Sequence, residues 1–178
     1  MRNFQQLRAP ITGIVVDDSA CEVNDLASCG GVQVTVPADE GWDDFVARAV
    51  ASEWVGVEAL TGIPGTLDDV VRTNGAAHGR AVADTVVSVR TWDRSTDAQK
   101  TFPLADCGFG PASSRFVEVL PDGSERFEIL DVAFLFRQGD LTTPIQDAAL
   151  AEALGVDVGS RVPLGAVRDA LRRQQSHG

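Results

Sequence analysis

Proton-transfer chemistry in this sequence would fall to very few side chains. One is His78, in the glycine-flanked run Asn74-Gly75-Ala76-Ala77-His78-Gly79; the others are the paired carboxylates Asp68 and Asp69. Imidazole donates or accepts a proton near neutrality, and a carboxylate pair can act as a general base or orient a cation. These three are the candidate catalytic residues. Arg72, Asn74, Ser113, Ser114 and Arg115 add guanidinium, carboxamide and hydroxyl groups that could hold a polar substrate. Each also has a plainer use. Asp68 and Asp69 suit a helix entry or solvent with Arg72 to offset them, Asn74 can bond backbone, the serines suit caps and turns, and His78 can simply pack at a surface.

Other chemistries have little to build on. The second histidine, His177, is the penultimate residue, so a His-rich metal site is excluded. Cys21, Cys29 and Cys107 are odd in number and wrongly spaced for a disulfide framework or a zinc cluster, and read as reduced thiols. Lys100 is the only lysine and lies in a polar stretch, a poor setting for a Schiff base. A formal net charge of −11 disfavours nucleic acid and anionic membranes, which draw affinity from clustered Lys and Arg. No apolar run approaches the roughly 20 residues needed to span a bilayer, and the first residues lack the apolar stretch of a signal peptide. A cytoplasmic protein is expected, with a small-molecule substrate, no metal and no cofactor.

The elements that must position these groups follow from periodicity. A length of 178 residues with 44% hydrophobic content suits one domain over residues 1–178. Residues 11–16 and the alternating run 32–36 read as a half-buried hairpin. From Trp42 to Ala51 the apolar positions 42, 45, 46, 49 and 50 predict an amphipathic helix, with Asp43 and Asp44 in the turn where the helix dipole favours them. Between Val55 and Gly79 the composition shifts to small residues, which allow close backbone approach. Residues 82–92 and 127–136 read as antiparallel strands, separated by polar turns around Asp97 and Asp122-Gly123. Two helices close the chain, 146–154 and 164–173, with Gly155 as a C-cap residue and Pro163 at a helix start. The expected fold is α+β, an antiparallel sheet of about five strands packed with helices. Trp42, Phe45, Trp54 and Phe109 are read as core.

The run Gly56-Val57-Glu58-Ala59-Leu60-Thr61-Gly62-Ile63-Pro64-Gly65, followed by Asn74 to Gly79 and by Asp106-Cys107-Gly108-Phe109-Gly110, resembles the bacterial UDP-N-acetylenolpyruvoylglucosamine reductases. The resemblance runs in order from about Phe4 to Arg173. It implies the fold of that family's central domain, without the N-terminal segment that holds the FAD pyrophosphate or the C-terminal substrate domain. The family's catalytic serine and glutamate therefore have no counterpart here. Departures within the matching region weigh against flavin. The family's bare Gly-Ser-Val-Gly-Ala is here Gly65-Thr66-Leu67-Asp68-Asp69, which sets carboxylates where an anionic diphosphate would lie. The family's Tyr-Arg pair falls at Pro111-Ala112, and its Asn-x-Gly-Ala-Tyr-Gly places imidazole, at His78, where a phenol usually stands.

These departures lead to the expectation of a non-redox cyclase or isomerase of specialised metabolism. Its substrate would fill a vacated cleft lined by Asp68, Asp69, His78 and residues 111–115, where shape alone can lower a barrier. Two alternatives stand beside it: a catalytically silent ligand-binding or regulatory domain, and one subunit of a split FAD-dependent UDP-N-acetylenolpyruvoylglucosamine reductase. A face left open by missing domains would suit a homodimer.

Overall fold

The computed structural model describes residues 7–19 and 31–178. Cys21 and Cys29 lie outside the described residues, as do most of the polar residues that join the first two strands. Strands β1 (Val15–Asp17) and β2 (Val32–Pro37) pair antiparallel as expected, with Val16 opposite Val34, but β1 is exposed at all three positions, so only β2 is half-buried as its alternation predicts. The first strand is shorter than expected, starting only after the bend around Gly13, which holds φ +72°.

Strand β8 (Phe127–Gln138) is the centre of the sheet. It pairs antiparallel with β2 on one side and with β6 (Val86–Asp93) on the other, and β7 (Ala98–Pro103) completes the far edge. The two-residue β3 (Trp54–Val55) pairs with the end of β8, making six strands where about five were expected. Val132, Phe134 and Phe136 of β8 point into the core, while Leu135 between them is exposed. Residues 82–84, expected to start β6, form a 3-10 turn instead, because Asp84 folds back to accept the Ala81 N–H.

Helix α1 (Trp42–Ala51) has the predicted bounds and lays Trp42, Phe45, Val46 and Ala49 on the sheet. Phe45 meets Phe134 at 5.3 Å between ring centroids, and Trp54 stacks on Phe136 at 5.9 Å. A short α2 (Leu67–Arg72) and the two-residue strands β4 (Ala76–Ala77) and β5 (Arg80–Ala81) follow, filling the stretch that reads as a run of small residues. Helices α3 (Ala148–Leu154) and α4 (Leu164–Ser176) match the two expected at the C-terminal end.

A second apolar cluster forms away from the sheet. Ala59, Ile145, Leu150, Ala151, Val162, Val167 and Leu171 pack the 3-10 turn Glu58–Leu60 against α3 and α4. Asp43 fastens this layer to α1: Arg168 of α4 grips its carboxylate with two hydrogen bonds of 2.9 and 2.8 Å, while the Gly62 N–H donates to it at 3.0 Å. Together these contacts, led by the Arg168 bonds, hold the Asp43 carboxyl below its ordinary pKa. Among the described residues, no helix is long and apolar enough to cross a membrane.

Candidate functional site

The residues singled out from the sequence are distributed over three places. Asp68 and Asp69 lie in the first turn of α2. Asp69 and Thr66 form a reciprocal cap: the Asp69 carboxylate accepts the Thr66 N–H at 2.8 Å, and the Asp69 N–H donates to the Thr66 hydroxyl oxygen at 3.4 Å. This satisfies donors that the start of a helix leaves open. Asp68 accepts from Arg72 Nε at 2.7 Å, one turn along. Burial pushes the Asp68 carboxyl up from its ordinary pKa, while Arg72 pulls it down. Arg72 also donates to the carbonyls of Phe116 at 2.6 Å and Phe127 at 2.8 Å, so it ties α2 to the sheet. Thr66→Ala should lower stability by about 1 kcal/mol and the thermal midpoint by roughly 2–4 °C, measured by calorimetry.

Asn74 and the segment 110–115 form the second group. The Asn74 carboxamide donates to the Gly110 carbonyl at 3.0 Å and accepts the Ala83 N–H at 3.2 Å, clasping two loops from a left-handed backbone position. Ser114 is buried and donates to the Arg72 carbonyl at 2.7 Å; Ser113 is exposed, in a tight turn that pairs it with Gly110. Arg115 donates to the Asp106 carbonyl and lies over the Phe102 ring at 5.2 Å. Ala112, at the turn's tip, has φ +51°, a region an L residue adopts at a cost. Ala112→Gly should therefore raise stability by about 1 kcal/mol, seen as a higher urea midpoint at unchanged slope.

His78 is elsewhere. It occupies the two-residue turn between β4 and β5, where His78 (φ +52°) and Gly79 (φ +75°) are both left-handed, the backbone of a type I′ hairpin. The imidazole lines a cavity of about 110 Å³ with Glu58, Arg80, Thr142, Thr143, Gln146 and the apolar residues of the second cluster. His78 Nδ1 is 3.5 Å from Asp147 Oδ1, an electrostatic approach longer than a good hydrogen bond. Asp147 caps α3 by accepting the Leu150 N–H at 2.7 Å, and this bond leads the causes that hold its carboxyl low. Asp69 and Arg72 border a different groove, of about 500 Å³, with Ile63, Phe116 and Val119. Sequence reasoning passed over Arg80, Gln146, Thr142 and Thr143. The signal available was the His-Gly pair followed by Arg80, which marks a hairpin tip carrying three chemically distinct neighbours. Among the described residues, no three His, Cys, Asp or Glu side chains are grouped to hold a metal.

The glycine loop Gly62-Ile63-Pro64-Gly65 tests whether the flavin implied by the resemblance fits. Both stretches of bare backbone are already covered by the chain's own side chains. A Cβ added at Gly62 would lie 1.6 Å from the Gln175 carboxamide, and one at Gly65 would lie 2.7 Å from the Asp69 carboxylate. The Gly62 N–H, a natural donor to a phosphate oxygen, is committed to Asp43. Asp43 and Asp44 line the same small depression. A diphosphate brought here would displace Gln175 and meet carboxylates, so this loop as it stands does not fit one.

Comparison with known proteins locates the chain. No family model matches it. It is 44% identical over 147 residues to a UDP-N-acetylenolpyruvoylglucosamine reductase of Cutibacterium acnes, covering 83% of this chain and 38% of that protein. It is 41% identical over 155 residues to the enzyme of the same name from Thermobifida fusca, covering 87% of this chain and 41% of the relative. The chain thus spans about two fifths of the length of these curated relatives. The crystal structure of the Thermus caldophilus UDP-N-acetylenolpyruvylglucosamine reductase aligns with a TM-score of 0.50 at 18% identity, over 81% of this chain and 68% of that one, which shows a shared fold. The resemblance to the central part of this reductase is therefore upheld across most of the chain. The expectation of a cyclase or isomerase of specialised metabolism is overturned: relatives at this identity are named reductases. Loss of bare backbone at one loop changes what that loop can hold, and it does not signal a new reaction class.

Proposed function

We propose that this chain is one subunit of a split UDP-N-acetylenolpyruvoylglucosamine reductase, supplying the central portion while another polypeptide supplies the rest. The observation that carries this is identity of 41–44% sustained over 147–155 residues but confined to about two fifths of each relative. So high an identity over more than four fifths of this chain supports the same overall task. A cofactor diphosphate would be held by the partner, since the Gly62–Gly65 loop is covered here by Gln175 and Asp69. Asn74 and Ser114 would keep the loops facing that partner in register through the hydrogen bonds described above.

The test is to tag the chain in its native host and isolate what it binds. The expected result is a yellow complex that oxidises a nicotinamide donor only when UDP-N-acetylenolpyruvoylglucosamine is present. A colourless chain recovered alone, with no turnover after mixing with host extract, overturns the reading. That second outcome is the one expected of a catalytically silent ligand-binding domain, the reading favoured by the covered glycine loop taken by itself.

A further inference from the structure

The cavity beside His78 has properties that the reductase reading does not use. Its floor is apolar, made by Ala59, Ile145, Leu150 and Val167 of the second cluster. Its polar lining is the half-buried Arg80 and His78, the exposed Gln146 and the buried Glu58. A volume of about 110 Å³ admits a ligand on the order of six non-hydrogen atoms, by comparison with the roughly 10–15 Å³ of such space that one water needs. An apolar floor with a few convergent polar groups is the usual form of a small-molecule site.

The charges of this lining specify the ligand. Glu58, 5% exposed, accepts the Gly56 N–H at 2.7 Å, and Asp147 is engaged by the Leu150 N–H and faces His78. Arg80 gives one Nη to the Thr143 hydroxyl, and among the described residues its other nitrogens have no protein partner. Among the described residues the Gln146 carboxamide and His78 Nε2 are in the same condition. The free edge of a guanidinium is a planar fork matched to a carboxylate. Glu58 opposes a second negative charge. His78 is held at a left-handed φ where Asn or Gly is the unstrained choice, a local cost that keeps imidazole at the cavity mouth.

We propose that this cavity binds a short 2-hydroxy monocarboxylate of about three carbons, its carboxylate paired with Arg80, its alkyl part on Ile145, Leu150 and Val167, and its hydroxyl donating to Glu58. The site stands independently of any reductase partner.

The test is a titration of the isotope-labelled full chain with L-lactate, followed by NMR. Saturable shifts centred on His78, Arg80, Thr143 and Ile145 are expected, with Arg80→Met weakening binding at least tenfold and Arg80→Lys less. His78→Asn, which relieves the backbone strain and keeps the fold, should weaken it severalfold. Propylamine and succinate, carrying the wrong charge or one charge too many, should not saturate. Absence of saturation by L-lactate, equal binding of propylamine, or unchanged affinity in a folded Arg80→Met chain would each refute the assignment.

Discussion

Asp93→Ala should lower the folding free energy by about 3 kcal/mol, because one buried carboxylate serves several donors at once. The Asp93 side chain is 1% exposed. It accepts from Arg126 Nε at 3.1 Å and Nη2 at 2.9 Å, and from the Ser95 N–H at 2.9 Å and hydroxyl at 2.6 Å. These bonds shape the turn from β6 into β7 and anchor Arg126 at the start of β8. The Arg126 guanidinium, with Ser95 second, holds the Asp93 carboxyl far below the usual carboxylate range. Since the folded pKa is depressed, the stabilisation is fully present above the unfolded value of about 4 and is lost as pH falls through the folded value. Denaturation midpoints measured from pH 6 down to pH 2 should therefore fall steeply for the native sequence. For Asp93→Asn the acid limb should be flatter and the neutral-pH stability lower; identical acid limbs in the two proteins would exclude this account.

Trp42→Ala should cost more, about 4–5 kcal/mol, enough to bring a domain of ordinary stability near its unfolding threshold at room temperature. Trp42 is fully buried at the start of α1, 5.8 Å from the Phe45 ring, and its indole N–H donates to the Leu60 carbonyl at 3.0 Å. Removal leaves both a void and an unpaired buried carbonyl. That carbonyl belongs to the 3-10 turn bearing Glu58, so the damage reaches the cavity lining as well as the core. Trp42→Phe separates the two effects: it retains most of the packing and loses the hydrogen bond, with an expected cost near 2 kcal/mol. Urea denaturation of the three proteins gives the comparison, and equal midpoints for Trp42→Phe and Trp42→Ala would rule out a major packing contribution.

Those parts of the fold written in periodicity were legible in the sequence. The bounds of α1 follow from five apolar positions on one face and two aspartates in the first turn. The inner face of β8 follows from Val132, Phe134 and Phe136. Strand β7 was not legible, since Ala98-Gln99-Lys100-Thr101-Phe102-Pro103 sits at a sheet edge with only Phe102 buried, and nothing forces its other side chains to alternate. Helix α2 was legible only as a helix entry suited to Asp68 and Asp69, because six residues are too few to show a period, and the part Thr66 plays in its cap left no mark of its own. The candidate site shows the deeper limit. His78, Asp69 and Ser113 were grouped by type, yet His78 faces Asp147, Asp69 folds onto Thr66 and Ser113 closes a turn, because long-range convergence of loops leaves no mark on local spacing.

The central place of β8 also governs how the polypeptide can be made. Its neighbours on both sides, β2 and β6, are synthesised earlier: Val34 waits for Phe134, and Val89 for Val132. Until the ribosome has released residues beyond Gln138, both neighbours present unsatisfied edges, and the apolar face of α1 has no floor to rest on. Assembly of the sheet must therefore be late and largely concerted, with slow closure set by the long loops between partners. Any translational pause that exposes β2 and β6 before β8 emerges would offer them to neighbouring nascent chains.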